Sequence, residues 1–249
     1  MSGHSKWSKV KHFKGAVDAK RSKLFTKLVK EITVAAKMGL PDPDANPRLR
    51  LAIQNARAAS MPKDTVERAI KKASGAGESV NYEEVLYEGY GPGKFAVIVE
   101  TLTDNRNRTA ASVRTVFNKN HATLGAANSV QYMFQRKGTL LLPKSAADEA
   151  RLTDLVLEAG ADDLEDLGDE WQVTTAFEQF MPVKAFLEAQ GLPISTAELA
   201  WLPTQKVLLQ DQESAQKAIA FVEALEDEDD VQNVFTNFDV PEAVLSQLA

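Results

Sequence analysis

The sequence predicts a multidomain protein of the α and α+β classes: an N-terminal three-helix domain, then an α+β domain carrying an inserted ferredoxin-like βαββαβ domain. Three observations predict it. Apolar residues recur at helical spacing as far as Ser74, then gather into strand-like runs after Asn81. Between Gly138 and Leu202 the strand and helix patterns follow one another as β, α, β, β, α, β. Charge is graded along the chain: residues 1–80 hold 17 basic and 7 acidic side chains, whereas 142–249 sum to -18 within an overall -6. The expected boundaries are 1–77 for the basic helical domain, 81–135 plus 206–249 for the α+β domain, and 137–204 for the acidic insertion.

The first helix is expected from Lys20 onward. Leu24, Phe25, Leu28, Val29, Ile32, Ala35 and Ala36 share one side at 100° per residue, and Lys20, Lys23, Lys27, Lys30 and Lys37 share the other. Gly39 and Pro41 stop it. Asn46 and Pro47 have the chemistry of a cap and a first helical residue for a second helix. Its apolar stripe is Leu49, Ala52, Ile53 and Ala56, with Arg48, Arg50 and Arg57 outside it. A third helix starts at Pro62, turns Val66, Ala69 and Ile70 inward, and ends near Gly75, before the linker SGAGES.

After Asn81, NYEEVLYEGY and KFAVIVETLT are expected as strands joined by a Gly-Pro-Gly hairpin turn. A helix over DNRNRTAASVRTVFNKN has Ala110, Val113, Val116 and Phe117 facing inward, and SVQYMF is expected as a further strand. The insertion then reads as strand GTLLLP, helix 145–159, strands 162–167 and 170–175, helix 179–190 and strand 194–202. One more helix and the strand VQNVFTNF are expected to return to the 81–135 sheet.

Several chemistries find no support in the residues. Without cysteine there is no disulfide framework, thiolate metal site or cysteine nucleophile. His4, His12 and His121 lack metal-ligand spacing, and neither G-x-S-x-G nor H-E-x-x-H occurs. No enzyme, metal or cofactor is therefore expected. The acidic stretches DDLEDLGDE and EDEDD lack EF-hand spacing and are expected as solvated faces. No run of about 18 apolar residues suggests a membrane span, and the expectation is a soluble, cytoplasmic protein.

Two basic constellations point to a polyanion. Lys6, Lys9, Lys11 and Lys14 precede the lysine face, and Trp7, His12 and Phe13 interleave with them as stacking surfaces. Lys20, Arg21, Lys23, Lys27 and Lys30 continue the surface, with Arg48 and Arg50 beside it. The alternative is a solvated tail and an ordinary surface helix. In TDNRNRT, Arg106 and Arg108 fall in the first turn of a helix, where cations oppose the macrodipole. They suit either an anion site or pairing with acids such as Glu88 and Glu100.

GHSKWSKVKHFK, DAKRSKLFTKL, DPDANPRLR, YEGYGPG, TDNRNRT and SVQYMFQRKG together resemble the YebC/PmpR family, which includes a mitochondrial translational activator of cytochrome oxidase. The likeness runs the length of the chain and is densest through about residue 140. His121, Ala122 and Asn128 depart from it, standing where members often carry glycine. The resemblance implies a DNA-binding transcriptional regulator, or else a ribosome-associated translation factor that helps synthesis through difficult stretches such as consecutive prolines. Both imply nucleic acid, DNA or ribosomal RNA, as partner, and the ribosome itself in the second case.

Overall fold

A computed structural model describes residues 17–74 and 81–248. Helices α1 (Val17–Met38), α2 (Pro47–Ala58) and α3 (Lys63–Ser74) pack through small residues. Ile32, Ala35 and Ala36 meet Leu49, Ala52, Ile53 and Ala56 of α2 and Val66 and Ala69 of α3. Alanines at the contact let the helix axes approach closely. One side chain fixes the α1–α2 corner: the Asn46 amide donates to the carbonyls of Ala35 and Leu40, while its oxygen accepts from the Leu49 N–H. It closes one helix and caps the next.

Strands β1 (Glu83–Tyr90) and β2 (Ala96–Thr103) form the expected antiparallel hairpin, paired from Glu83↔Thr103 to Tyr90↔Ala96. Helix α4 (Arg106–Lys119) follows, and β3 (Thr123–Leu124) adds to the free edge of β1. Near the chain's end, α7 (Gln212–Glu226) leads into β9 (Val231–Thr236), which pairs with the other edge of β2. The sheet order is therefore β3-β1-β2-β9. One face is covered by α4 and α7, with Phe95, Phe117, Phe221 and Leu225 in a shared core. The other face lays Ala96, Ile98 and Phe235 against Val130, Phe134 and Ala200. Burial on both faces explains why the first half of β2, Ala96 to Val99, is an unbroken apolar run.

The second sheet contains β4 (Phe134–Pro143), β5 (Asp163–Asp166), β6 (Glu170–Ala176) and β7 (Thr196–Pro203), ordered β5-β6-β4-β7 and antiparallel throughout. Helices α5 (Glu149–Glu158) and α6 (Phe180–Ala189) cover it through Leu152, Val156, Val183 and Leu187. Short strands β8 (Val207–Leu208) and β10 (Phe238–Asp239) pair in parallel, and α8 (Glu242–Leu248) ends the fold.

Three local expectations need correction. SVQYMF is not a strand: Gln131–Met133 form a 3-10 turn, and β4 begins at Phe134. The Glu88 carboxylate accepts the backbone N–H groups of Asn128, Val130 and Gln131, withdrawing them from any ladder. Strand β4 then runs unbroken from Phe134 to Pro143. The helix expected over 145–159 is split, with a turn at Lys144–Ala146 and a restart where Asp148 caps the Arg151 N–H. On α4, Thr109 rather than Ala110 lies buried.

Candidate nucleic-acid interface

Lys6, Trp7, Lys9, Lys11, His12 and Lys14 lie outside the described residues, and Lys20 is described only as part of the α1 backbone. The remaining basic residues separate into two groups. Arg21 is exposed with its guanidinium 5.3 Å from the centre of the Phe25 ring. Arg106 is also exposed, and it makes no ion pair among the described residues. All the others contact oxygens of the chain itself.

Lysines of α1 do not form the open row that their spacing predicts. Lys23 Nζ lies 2.9 Å from Asp227 Oδ1 and 3.1 Å from the Asp227 carbonyl. Lys27 donates to the Glu226 carbonyl at 2.8 Å. Lys30 reaches the Asp229 carbonyl at 2.7 Å and Asp230 Oδ1 at 2.8 Å. Farther along, Lys37 donates to the Asn81 side-chain oxygen. The acceptors of Lys23, Lys27 and Lys30 cluster where α7 ends, the pole at which unsatisfied carbonyls and the macrodipole favour cations. EDEDD is thus the docking point of α1 rather than a purely solvated face.

Asp230 is the centre of this junction and only 8% exposed. Besides Lys30 it accepts from Arg108 Nη2 at 2.8 Å and from the Thr109 hydroxyl at 2.7 Å. Burial pushes its carboxyl up, but the hydrogen bonds from Lys30, Arg108 and Thr109 outweigh that and lower it from 3.8 to about 2. Arg108 also pairs with Asp104 at 2.7 Å, and its hydrogen bonds to Asp230 and then to Asp104 raise its own pKa. The partners Glu88 and Glu100 suggested by sequence are otherwise engaged: Glu88 with the backbone described above, Glu100 with Trp201 Nε1 and Asn233 Nδ2.

Arg48 and Arg50 also organise the fold. Arg48 makes a two-pronged pair with Glu31, at 2.7 and 3.0 Å, and reaches Glu84 at 2.5 Å. Burial lowers its pKa, but the hydrogen bonds and charges of Glu31 and Glu84 more than reverse the effect. Arg50 donates to the carbonyls of Pro43 and Asp44 and so braces the PDPDANP loop.

The polar face of α3, where Lys63, Arg68, Lys71 and Lys72 are exposed, and the exposed Arg57 on α2 add cations that sequence reasoning does not single out. Their signal is ordinary helical amphipathicity. Among the described residues no group of three or more His, Asp or Glu side chains is placed to hold a metal ion.

Residues 5–76 match the family model described as the TACO1/YebC protein N-terminal domain, and residues 82–238 match the TACO1/YebC second and third domain. A "probable transcriptional regulatory protein" of Syntrophobacter fumaroxidans is 49% identical over 249 residues, covering 100% of both chains. One of the same name from Treponema pallidum is 52% identical over 241 residues, covering 97% of this chain and 98% of its own. The crystal structure of a conserved hypothetical protein from Aquifex aeolicus superposes with a TM-score of 0.84 at 47% identity, covering 91% of this chain and 93% of that one.

Proposed function

The chain belongs to the TACO1/YebC family, and from that premise we propose that it is a non-enzymatic regulator of gene expression that works by binding nucleic acid. The observation that carries the reading is the separation of charge, with 17 basic against 7 acidic residues in 1–80 and a net -18 in 142–249. A phosphate backbone is drawn to the first and repelled by the second. The leading contacts are Lys6, Trp7, Lys9, Lys11, His12, Lys14, Lys20 and Arg21, together with Arg106 and the exposed cations of α3. Lys30, Arg48, Arg50 and Arg108 serve the fold instead.

The names of the relatives favour a DNA-binding transcriptional regulator. A second reading, a translation factor on ribosomal RNA, is favoured by Trp7, His12 and Phe13 among the lysines, since stacking side chains suit unpaired bases. Both readings operate in the cytoplasm; no helix among the described residues is long and apolar enough to cross a membrane. The three-unit division at 1–77, 81–135 plus 206–249, and 137–204 is part of the proposal. It is supported by the pairing of β9 with β2 and by the order β5-β6-β4-β7, which is that of a ferredoxin-like unit.

Crosslinking the protein to nucleic acid in cells and sequencing what is attached separates the two. Enrichment of defined promoter DNA supports the first reading. Enrichment of ribosomal RNA, with salt-sensitive co-sedimentation with ribosomes, supports the second. Absence of both overturns the proposal.

A further inference from the structure

We infer that the outer half of the α1 lysine face is a phosphate-binding surface which the chain's own acidic turn at 226–230 occupies, so that a nucleic-acid backbone reaches it by displacing that turn. The inference rests on the nucleic-acid reading above and adds to it a competition for one surface.

The acidic turn presents what a phosphate backbone presents, a row of oxygen acceptors. Lys23, Lys27 and Lys30 meet the carboxylates of Asp227 and Asp230 and the carbonyls of Glu226, Asp227 and Asp229. From Lys23 to Lys30 the helix rises about 10.5 Å at 1.5 Å per residue. Over about that axial length one strand of a duplex carries roughly three phosphates.

The contact is graded along α1. At the outer end Lys23 and Asp227 have side chains 44% and 69% exposed, so water and salt weaken their attraction. At the inner end Lys30 and Asp230 are 13% and 11% exposed, and Arg108 and Thr109 hold the same carboxylate. Exchange is therefore confined to Lys23 and Lys27. Lys30–Asp230 stays closed and keeps α1 attached while its outer turn changes partners. Asp227 is the specific competitor. Glu223, one turn earlier on α7 and exposed, carries the same charge and, among the described residues, makes no contact with Lys23, Lys27 or Lys30.

The test measures the affinity of a fluorescein-labelled single-stranded 20-mer, as RNA and as DNA of the same sequence, by anisotropy at low ionic strength. Wild type is compared with Asp227→Asn, Glu223→Gln, Lys23→Ala and the double variant Lys23→Ala/Asp227→Asn. Asp227→Asn is expected to bind about two- to fivefold more tightly, the range of an exposed ion pair. Glu223→Gln should change affinity by less than that, and the gain should vanish once Lys23 is absent. An equal gain from Asp227→Asn and Glu223→Gln, or a gain that survives in the double variant, overturns the inference while leaving the nucleic-acid reading in place. No binding of either probe by any variant overturns that reading, and the inference with it.

Discussion

Lys30 and Asp230, 200 residues apart in the chain, meet at 2.8 Å between side chains 13% and 11% exposed. This pair joins the N-terminal helices to the sheet closed by β9. Asp230→Asn keeps the volume but leaves the Lys30 ammonium buried without its counter-charge and weakens the Arg108 and Thr109 bonds. Loss of about 2–4 kcal/mol of unfolding free energy is expected, slightly under the roughly 3–5 kcal/mol of a fully buried ion pair because both side chains keep some exposure. Urea denaturation measures it. A loss below about 0.5 kcal/mol, typical of an ordinary surface site, would refute the central role given to this carboxylate.

The same carboxylate makes stability pH-dependent. Its folded pKa of about 2 lies below the ordinary 3.8, so the folded protein holds it ionised more strongly than the unfolded chain does. The stabilisation is present in full above the unfolded pKa and disappears as pH falls from about 4 through about 2. Melting temperatures recorded from pH 6 to pH 2 should therefore drop more steeply for the wild type than for Asp230→Asn in that window. Parallel curves would show that Asp230 contributes nothing to acid unfolding.

Arg106 and Arg108 occupy the same helical turn and should respond in opposite ways. Arg108→Ala removes donors to Asp104 and Asp230, yet its half-exposed side chain limits the effect to about 1–2 kcal/mol. Arg106 is exposed at the positive end of α4. Arg106→Ala should leave stability within about 0.5 kcal/mol, or raise it by a few tenths by relieving the dipole. Chemical denaturation separates the two variants, and oligonucleotide affinity should fall for Arg106→Ala if that guanidinium meets phosphate.

What the sequence made legible is local. Helical spacing located α1, α2 and α3, and the Asn46–Pro47 cap sits where its chemistry predicts. Charge counting found the basic front but not the destination of its lysines, because pairing over 199 to 204 residues leaves no trace in periodicity. An amphipathic helix with a lysine stripe looks the same whether that stripe faces solvent or an acidic turn. Asp230 was hidden within EDEDD, where five similar residues differ only in where the end of α7 points them. Thr109 was overlooked because a hydroxyl turned inward to a carboxylate breaks the apolar stripe. Asn128 does take the left-handed conformation open to asparagine, at φ 63, and His121 adopts it too, at φ 54.

Glu88, a candidate partner for arginine by sequence, instead holds a turn of backbone. Its buried carboxylate takes the Asn128 N–H on one oxygen and those of Val130 and Gln131 on the other, at 2.7, 2.9 and 3.0 Å. In Glu88→Gln only one oxygen remains, and the amide nitrogen must face a backbone N–H, donor against donor. Whichever way the amide turns, at least one N–H loses its acceptor and the rest lose the help of a charge. A cost of about 1–3 kcal/mol is expected, together with faster hydrogen exchange at whichever of the three amides the amide nitrogen faces. The loosening should reach Phe134, which starts β4 and packs between the two sheets directly after the turn. Exchange at all three amides as slow as in the wild type would show that the turn is held by the surrounding packing rather than by this carboxylate.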